Sequence, residues 1–303
     1  VTEVCCNVGS KHKNSEMSEA KTKDVKRGLG ASAGYFTSIS SILGAILFLR
    51  LGFATGTLGF WGVMAIIMLG HMITIPTALA ISELATNTRV EGGGEYFIIS
   101  RSFGLKLGST IGFTLFLAQA ISIAFYTIAF AEAFQPLYEW WQVRFGWELP
   151  RQVISIPTLL VLAFVMLKQG SGSGMKMLYT VTIILLLSLL LFFFGKPLEI
   201  ISESGEIVEW APSQNFGFFN REKFFVIFAI CFPAFTGMTA GVGLSGDLRN
   251  PGKSIPLGTM GGTLTGLVVY ALVAWKLSVS APQEMLVVDQ MIMSKIAIFG
   301  AVM

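Results

Sequence analysis

Residues 231–243 read Cys-Phe-Pro-Ala-Phe-Thr-Gly-Met-Thr-Ala-Gly-Val-Gly and lie within a long apolar run. Proline removes a backbone donor and crowds the preceding turn, and glycine costs about 1 kcal/mol of helix propensity. Pro233, with Gly237 four residues later, is therefore predicted to open a helix. Unwound backbone is tolerated inside a bilayer only where it lines a cavity.

A second interruption is predicted near the start of the chain. Residues 38–50 read Ser-Ile-Ser-Ser-Ile-Leu-Gly-Ala-Ile-Leu-Phe-Leu-Arg, with small polar residues and Gly44 where a membrane helix would otherwise be aliphatic. These small polar residues and Gly44 predict a second broken helix.

The composition places the chain in a membrane. Charged residues make up 13% of its 303 residues, about half the globular norm of roughly 25%, while 53% are hydrophobic. The net charge of +3 supplies no basic face for nucleic acid. Cys5 and Cys6 are adjacent in a polar stretch and Cys231 is in an apolar one, so neither a disulfide framework nor a zinc site is indicated. No nucleophile, acid–base pair or cofactor loop is visible, and we expect neither enzyme activity nor a cofactor.

Charge-free runs give the number of membrane helices. They cover residues 28–49, 51–82, 107–131, 152–167, 177–195, 224–246 and 254–275. Each run is close to the ~20 apolar residues that cross a bilayer as a helix. The sequence therefore predicts an all-α membrane protein with about seven transmembrane helices.

The two interruptions fall in the first and sixth of these spans, five apart. Broken helices at corresponding positions of two halves indicate the substrate site of a secondary transporter. This offset suggests two inverted five-helix repeats. The chain would contain one complete repeat and the first two helices of the next, and we therefore interpret it as a fragment. An alternative stays open, in which the glycines only let helices pack closely.

Positive charges give the orientation. With the N-terminus cytoplasmic, the inside segments hold Lys11, Lys13, Lys21, Lys23, Lys26, Arg27, Arg89, Arg101, Lys106, Lys168, Lys176, Arg249 and Lys253, and the outside ones Arg144, Arg151, Lys196, Arg221 and Lys223. We therefore expect a cytoplasmic tail over residues 1–29, a transmembrane domain over 30–280, and an extracellular segment over 281–303 that leads into an eighth helix. The chain is expected to be a multi-pass protein of the cell membrane.

The broken helices suggest what the site binds. Half-helix N-termini favour anions, whereas unwound carbonyls and hydroxyls favour dehydrated monovalent cations. Arg50, Glu83 and Glu132 lie toward span ends, so the middle of the membrane is predicted to hold no acid or base. This disfavours proton coupling and favours inorganic ions or a small zwitterion.

Three segments resemble the cation-chloride cotransporters of the amino acid-polyamine-organocation superfamily, over about residues 28–280. They are residues 42–51 (Ile-Leu-Gly-Ala-Ile-Leu-Phe-Leu-Arg-Leu), residues 93–104 (Gly-Gly-Glu-Tyr-Phe-Ile-Ile-Ser-Arg-Ser-Phe-Gly), and residues 232–241 with the Leu-Ser-Gly-Asp-Leu string at 244–248. The resemblance implies a leucine-transporter-type inverted-repeat fold, truncated here, and electroneutral symport of chloride with potassium, sodium or both by alternating access.

The resemblance also implies ion ligands. Potassium would bind carbonyls near Ser41, Ile42 and Pro233 and the hydroxyls of Tyr126 and Thr236. An upper chloride would bind the amides of Gly44, Ala45 and Ile46, and a lower chloride those of Gly237, Met238 and Thr239. Arg50 and Glu132 are candidates for an extracellular gate.

Several alternatives stay open. Ser41 stands where the family usually has asparagine, and Leu43 where an aromatic residue is common, which leaves sodium use undecided. An amino acid or polyamine permease of the same superfamily, and a non-transporting fragment or interaction protein, are the competing functions. The expected partners are inorganic ions and the lipid bilayer, with a homodimer left open. Tyr270→Phe in the seventh span is expected to be close to neutral.

Overall fold

The computed structural model describes residues 29–87, 93–201, 207–209 and 221–298. The tail predicted over residues 1–29 therefore lies outside the described residues, apart from Leu29. The helices are α1 (Ala31–Ile42), α2 (Ala45–Leu49), α3 (Leu51–Asn87), α4 (Gly94–Phe103), α5 (Leu105–Glu132), α6 (Gln135–Phe145), α7 (Gln152–Phe193), α8 (Arg221–Phe235), α9 (Ala240–Gly243), α10 (Pro251–Ser280), α11 (Gln283–Val288) and α12 (Ile292–Ile296).

The described residues form an almost entirely helical protein, which confirms the all-α class. Two short antiparallel strands, β1 (Glu199–Ile201) and β2 (Ile207–Glu209), pair with Ile200 opposite Val208. Among the described residues, six helical segments are long and apolar enough to cross a membrane: Ser32–Leu49, Leu51–Asn87, Leu105–Glu132, Gly174–Phe193, Glu222–Gly243 and Pro251–Ser280.

The structure joins the predicted fourth and fifth spans in one helix. Both lie on α7, a continuous helix of 42 residues, and its apolar first part, Gln152–Val165, is shorter than a span. Residues 168–176 contain glycine and serine but no proline, so every backbone N–H can still donate and the helix continues. At 1.5 Å per residue α7 is about 63 Å long, roughly twice the hydrocarbon thickness.

The first membrane helix is broken as predicted. α1 ends at Ile42, Gly44 is extended with φ −89° and ψ −158°, and α2 begins at Ala45. This break needs no proline, because the backbone dihedral angles of Leu43 and Gly44 lie outside the α-helical region.

The helix at the sixth span predicted from the sequence, α8, changes its winding instead of opening into extended chain. Pro233 stays inside α8, which ends at Phe235, and a 3-10 turn over Thr236–Thr239 leads directly into α9. Neighbouring groups can satisfy the carbonyls that proline leaves free in a membrane helix. The interruption is therefore three residues C-terminal to the proline.

α1 lies in a groove of small residues on α10. A Cβ atom on Gly258 would be 2.7 Å from the carbonyl carbon of Gly34, and one on Gly34 would be 2.7 Å from the carbonyl oxygen of Ser254. Further along α10, a Cβ on Gly262 would meet Ser38 and one on Gly266 would meet Ile42. Glycine at every fourth position lets the two backbones approach closely, as in other membrane helix pairs.

The two ends of α10 have different neighbours. Near its start, Leu29 and Leu248 form a parallel bridge, in which the Leu29 amide donates to Asp247 and the Arg249 amide donates to Leu29. At the other end, the Leu198 amide donates to the Ser280 carbonyl at 2.8 Å. The residues before the first helix and the loop after the sixth therefore lie at one end of the molecule, opposite the segment that follows α7.

Within residues 281–298, the short helices α11 and α12 pack on the transmembrane helices. Leu286 is buried, and a Cβ atom on Gly56 of α3 would lie 2.8 Å from its Cβ. Lys295 and Asp289 form an ion pair at 2.5 Å. The extracellular location predicted for this segment stays a prediction.

Candidate functional site

The interruptions of the first and sixth helices lie directly against each other. A Cβ atom on Gly237 would be 2.8 Å from the Ile42 nitrogen and 2.8 Å from the Ser41 carbonyl carbon. The structure thus brings two predicted potassium ligands, Ser41 and Ile42, beside the first residue of the predicted lower chloride site.

Tyr126 reaches this place from α5. Its Cε1 atom would be 3.7 Å from a Cβ on Gly44, and 45% of the residue is exposed. The Tyr126 side chain therefore borders the break in the first helix on its open side, the side that is not covered by other described residues.

Thr236 lies at the other break, where its hydroxyl donates to the Pro233 carbonyl oxygen at 2.8 Å. This back-bond is common in membrane helices. The hydroxyl oxygen keeps its own lone pairs, and the carbonyl oxygen keeps one. Both oxygens of this pair can therefore still face a cation.

The two predicted chloride sites differ in their backbone. The amides of Gly44, Ala45 and Ile46 begin α2 after an extended residue, so they have no carbonyls of a preceding turn to bond. The amides of Gly237, Met238 and Thr239 instead continue from α8 through the 3-10 turn without an extended residue between them. The structure frees the upper set for an anion more clearly than the lower set, and both assignments stay predictions.

Ser38 of α1 connects the two broken helices through a hydrogen bond. Its hydroxyl donates to the Met238 carbonyl at 2.9 Å, and the side chain is fully buried. The Thr263 hydroxyl of α10 donates to the Thr259 carbonyl at 2.6 Å and lies 3.4 Å from the Met238 sulfur. These contacts fix the 3-10 turn against α1 and α10.

The contacts of two residues near the breaks, Tyr270 and Glu95, were not predicted from the sequence. Tyr270, expected to be neutral, donates its hydroxyl to the Ile42 carbonyl at 2.9 Å and is 1% exposed. Glu95 of α4, outside the membrane spans, is hydrogen-bonded to the Thr239 side chain; burial raises the pKa of its carboxyl, and the bond to Thr239 partly offsets this rise. Local patterns give no signal for either contact, because each partner is far away along the chain.

The predicted gate residues form an ion pair. Arg50 Nη2 lies 2.9 Å from Glu132 Oε2, and Arg151 Nη1 lies 3.7 Å from the other oxygen of Glu132. The pair closes one side of a small pocket between α2 and α5, which Ala45 and Phe125 also line. Arg151 was predicted only as an outside charge, and the structure adds it to this group.

Comparison with known proteins gives a consistent result. A model of the amino acid permease family matches residues 34–302. Solute carrier family 12 member 2 of Homo sapiens is 35% identical over 248 residues, which cover 77% of this chain and 20% of that protein. Solute carrier family 12 member 1 of Oryctolagus cuniculus is 34% identical over 276 residues, which cover 86% of this chain and 25% of that protein.

A fungal relative extends further along the chain. Vacuolar cation-chloride cotransporter 1 of Saccharomyces cerevisiae is 30% identical over 320 residues, which cover 94% of this chain and 27% of that protein. The chain thus spans between 20% and 27% of the length of these curated relatives.

Proposed function

Since the chain belongs to the amino acid permease family and is related to the cation-chloride cotransporters, we propose that the protein is a secondary active symporter. It would move chloride together with potassium, sodium or both, electroneutrally and by alternating access between the two sides of the membrane. Its membrane helices and its relatives make it a multi-pass membrane protein; we propose the cell membrane as its location, with the Leu29 end cytoplasmic.

One observation carries the proposal: the two helix interruptions touch, and the predicted cation ligands beside them are uncharged. Tyr126 and Thr236 offer hydroxyls, while Ser41, Ile42 and Pro233 offer carbonyls. Such oxygens can replace the hydration shell of a monovalent cation, and the free amides at the start of α2 suit its chloride partner.

The close contact also argues against a larger substrate. Gly237 approaches the backbone of Ser41 so closely that a methyl group would clash. An amino acid needs room for its carboxylate, its ammonium group and its side chain, and the two backbones leave none at the point where they touch. The amino acid permease function is therefore the second candidate, favoured by the family model that covers residues 34–302.

Uptake of labelled rubidium by cells that express the complete reading frame tests the proposal. We expect saturable uptake that falls to background when gluconate replaces chloride, and replacing external sodium with an organic cation reports on sodium use. Membrane potential should leave the rate unchanged, because the symport is electroneutral. Saturable, chloride-independent uptake of an amino acid, without rubidium uptake, would support the permease function instead.

A further inference from the structure

Tyr270 is a buried side chain in α10 that reaches the break in the first helix. Its hydroxyl donates to the Ile42 carbonyl oxygen at 2.9 Å, across 228 positions of the chain. The side chain is 1% exposed, so water does not compete for this hydrogen bond.

The carbonyl that receives this bond is an unusual acceptor. Ile42 is the last residue of α1, and the last carbonyls of a helix have no N–H partner within it. The Tyr270 hydroxyl satisfies one lone pair of the oxygen. A carbonyl oxygen has two lone pairs, so one is left for another partner.

The same tyrosine also packs against the second broken helix. Its ring meets that of Phe235 edge to face, with centroids 5.2 Å apart and an interplanar angle of 78°. Phe235 is the last residue of α8, directly before the 3-10 turn, and its ring in turn lies against His71 of α3 with centroids 5.0 Å apart. One side chain thus contacts both helices at the point where their winding changes.

We infer that Tyr270 is a positioning residue for the transported cation: it holds the Ile42 carbonyl in the direction of the ion from the core side, while Tyr126 borders the same break from the open side. It does not touch the cation. This inference rests on the proposed function, because it needs a monovalent cation at the Ile42 carbonyl.

Tyr270→Phe tests the inference, because it keeps the ring and its packing on Phe235 and removes only the hydroxyl. We expect the potassium or rubidium concentration at half-maximal uptake to rise about threefold to tenfold, on the scale of one lost hydrogen bond. The maximal rate per transporter at the surface and the chloride half-saturation should change less than twofold. A purely structural role would instead lower the maximal rate and leave the half-saturation for both ions unchanged.

Tyr35→Phe is the matched control. The Tyr35 hydroxyl bonds Thr265 Oγ1 at 3.1 Å and joins the same two helices, α1 and α10, away from the break. We expect its potassium half-saturation to stay at the wild-type value. An equal rise in both variants, or no rise in Tyr270→Phe, would overturn the inference.

Three further outcomes keep the test decisive. If Tyr270→Phe does not reach the cell surface, the rise in thermal midpoint that potassium chloride causes in the detergent-solubilised variant takes the place of uptake, and an unchanged potassium dependence would again overturn the inference. If the wild-type protein shows no chloride-dependent rubidium uptake, the proposed function fails and the inference with it. If the wild type transports and only Tyr270→Phe is neutral, the inference alone fails.

Discussion

Tyr126 and Thr236 supply the two side-chain hydroxyls that are proposed to bind the cation, and they meet it differently. No hydrogen bond is described for the Tyr126 hydroxyl, whereas the Thr236 hydroxyl already donates to the Pro233 carbonyl. A contact to a charged partner is worth about 1.5–3 kcal/mol, and each 1.4 kcal/mol is a factor of ten. Tyr126→Phe should therefore raise the potassium half-saturation about tenfold to a hundredfold, and Thr236→Val should raise it in the same direction.

Rubidium uptake titrations at equal surface expression measure this effect. Tyr96→Phe is a suitable comparison, because Tyr96 is a partly exposed tyrosine whose ring lies near Gly112 of α5, away from the breaks. Unchanged half-saturation in both Tyr126→Phe and Thr236→Val would show that the site assignment is wrong.

Glu95 predicts a dependence of stability on pH. Burial raises the pKa of this carboxyl above its usual 4.5, so folding favours the protonated form. The stability that this form contributes is complete below the unfolded-state pKa and is lost as pH rises through the folded-state pKa. The glutamine side chain of Glu95→Gln cannot titrate. The thermal midpoint of this variant should therefore rise relative to that of the wild type as pH rises from acidic to neutral.

Thermal unfolding of the purified protein over a pH series measures that gain. Glu148→Gln changes an exposed carboxyl and should follow the wild type at every pH. A constant difference between Glu95→Gln and the wild type would contradict the assignment.

At the scale of elements, the contact of α1 with α10 depends on glycine. A Cβ on Gly258 would lie 2.7 Å from the backbone of Gly34, where no flexible side chain can move aside. Overpacking of this kind costs about 1–3 kcal/mol. Gly258→Ala should therefore lower the thermal midpoint of the purified protein, while Gly243→Ala, whose Cβ would meet nothing within 4 Å, should change it far less. Equal losses would show that backbone contact is not the cause.

Local chemistry predicted some elements and not others. Gly44 breaks the first helix where the sequence predicted, because the cause lies in the residue itself. Pro233 did not end its helix: α8 continues to Phe235, and the winding changes only at the 3-10 turn over Thr236–Thr239. The division at residues 168–176 was predicted from charge alone, and charge at a surface does not interrupt helical hydrogen bonds.

At the scale of the whole molecule, Lys196 and Lys253 are predicted to lie on opposite sides of the membrane. Both are exposed; Lys253 is near the start of α10, and Lys196 is two residues before Leu198, which bonds the last residue of α10. The 30 residues of α10 span about 45 Å. In a cysteine-depleted protein on intact cells, Lys196→Cys should react with an impermeant maleimide and Lys253→Cys only after permeabilisation. Equal labelling of both, or the reverse order, would contradict the orientation.

The assembly of the site could be predicted from sequence only in part. The charge-free runs and the two interruptions indicate which helices form it, and the structure places those interruptions together. The bond from Tyr270 to Ile42 has no local signature, since its two residues belong to different helices. Contacts of this kind depend on tertiary packing, which periodicity does not encode.

The separation between Tyr270 and Ile42 has a consequence for biosynthesis. The ribosome must add 228 more residues after Ile42 before the donor of its hydrogen bond exists. At about 5–20 residues per second this takes roughly 10–45 s. During that interval the Ile42 carbonyl has no Tyr270 hydroxyl to bond. The hydrogen bond at this break is thus completed late in translation, when α10 reaches α1.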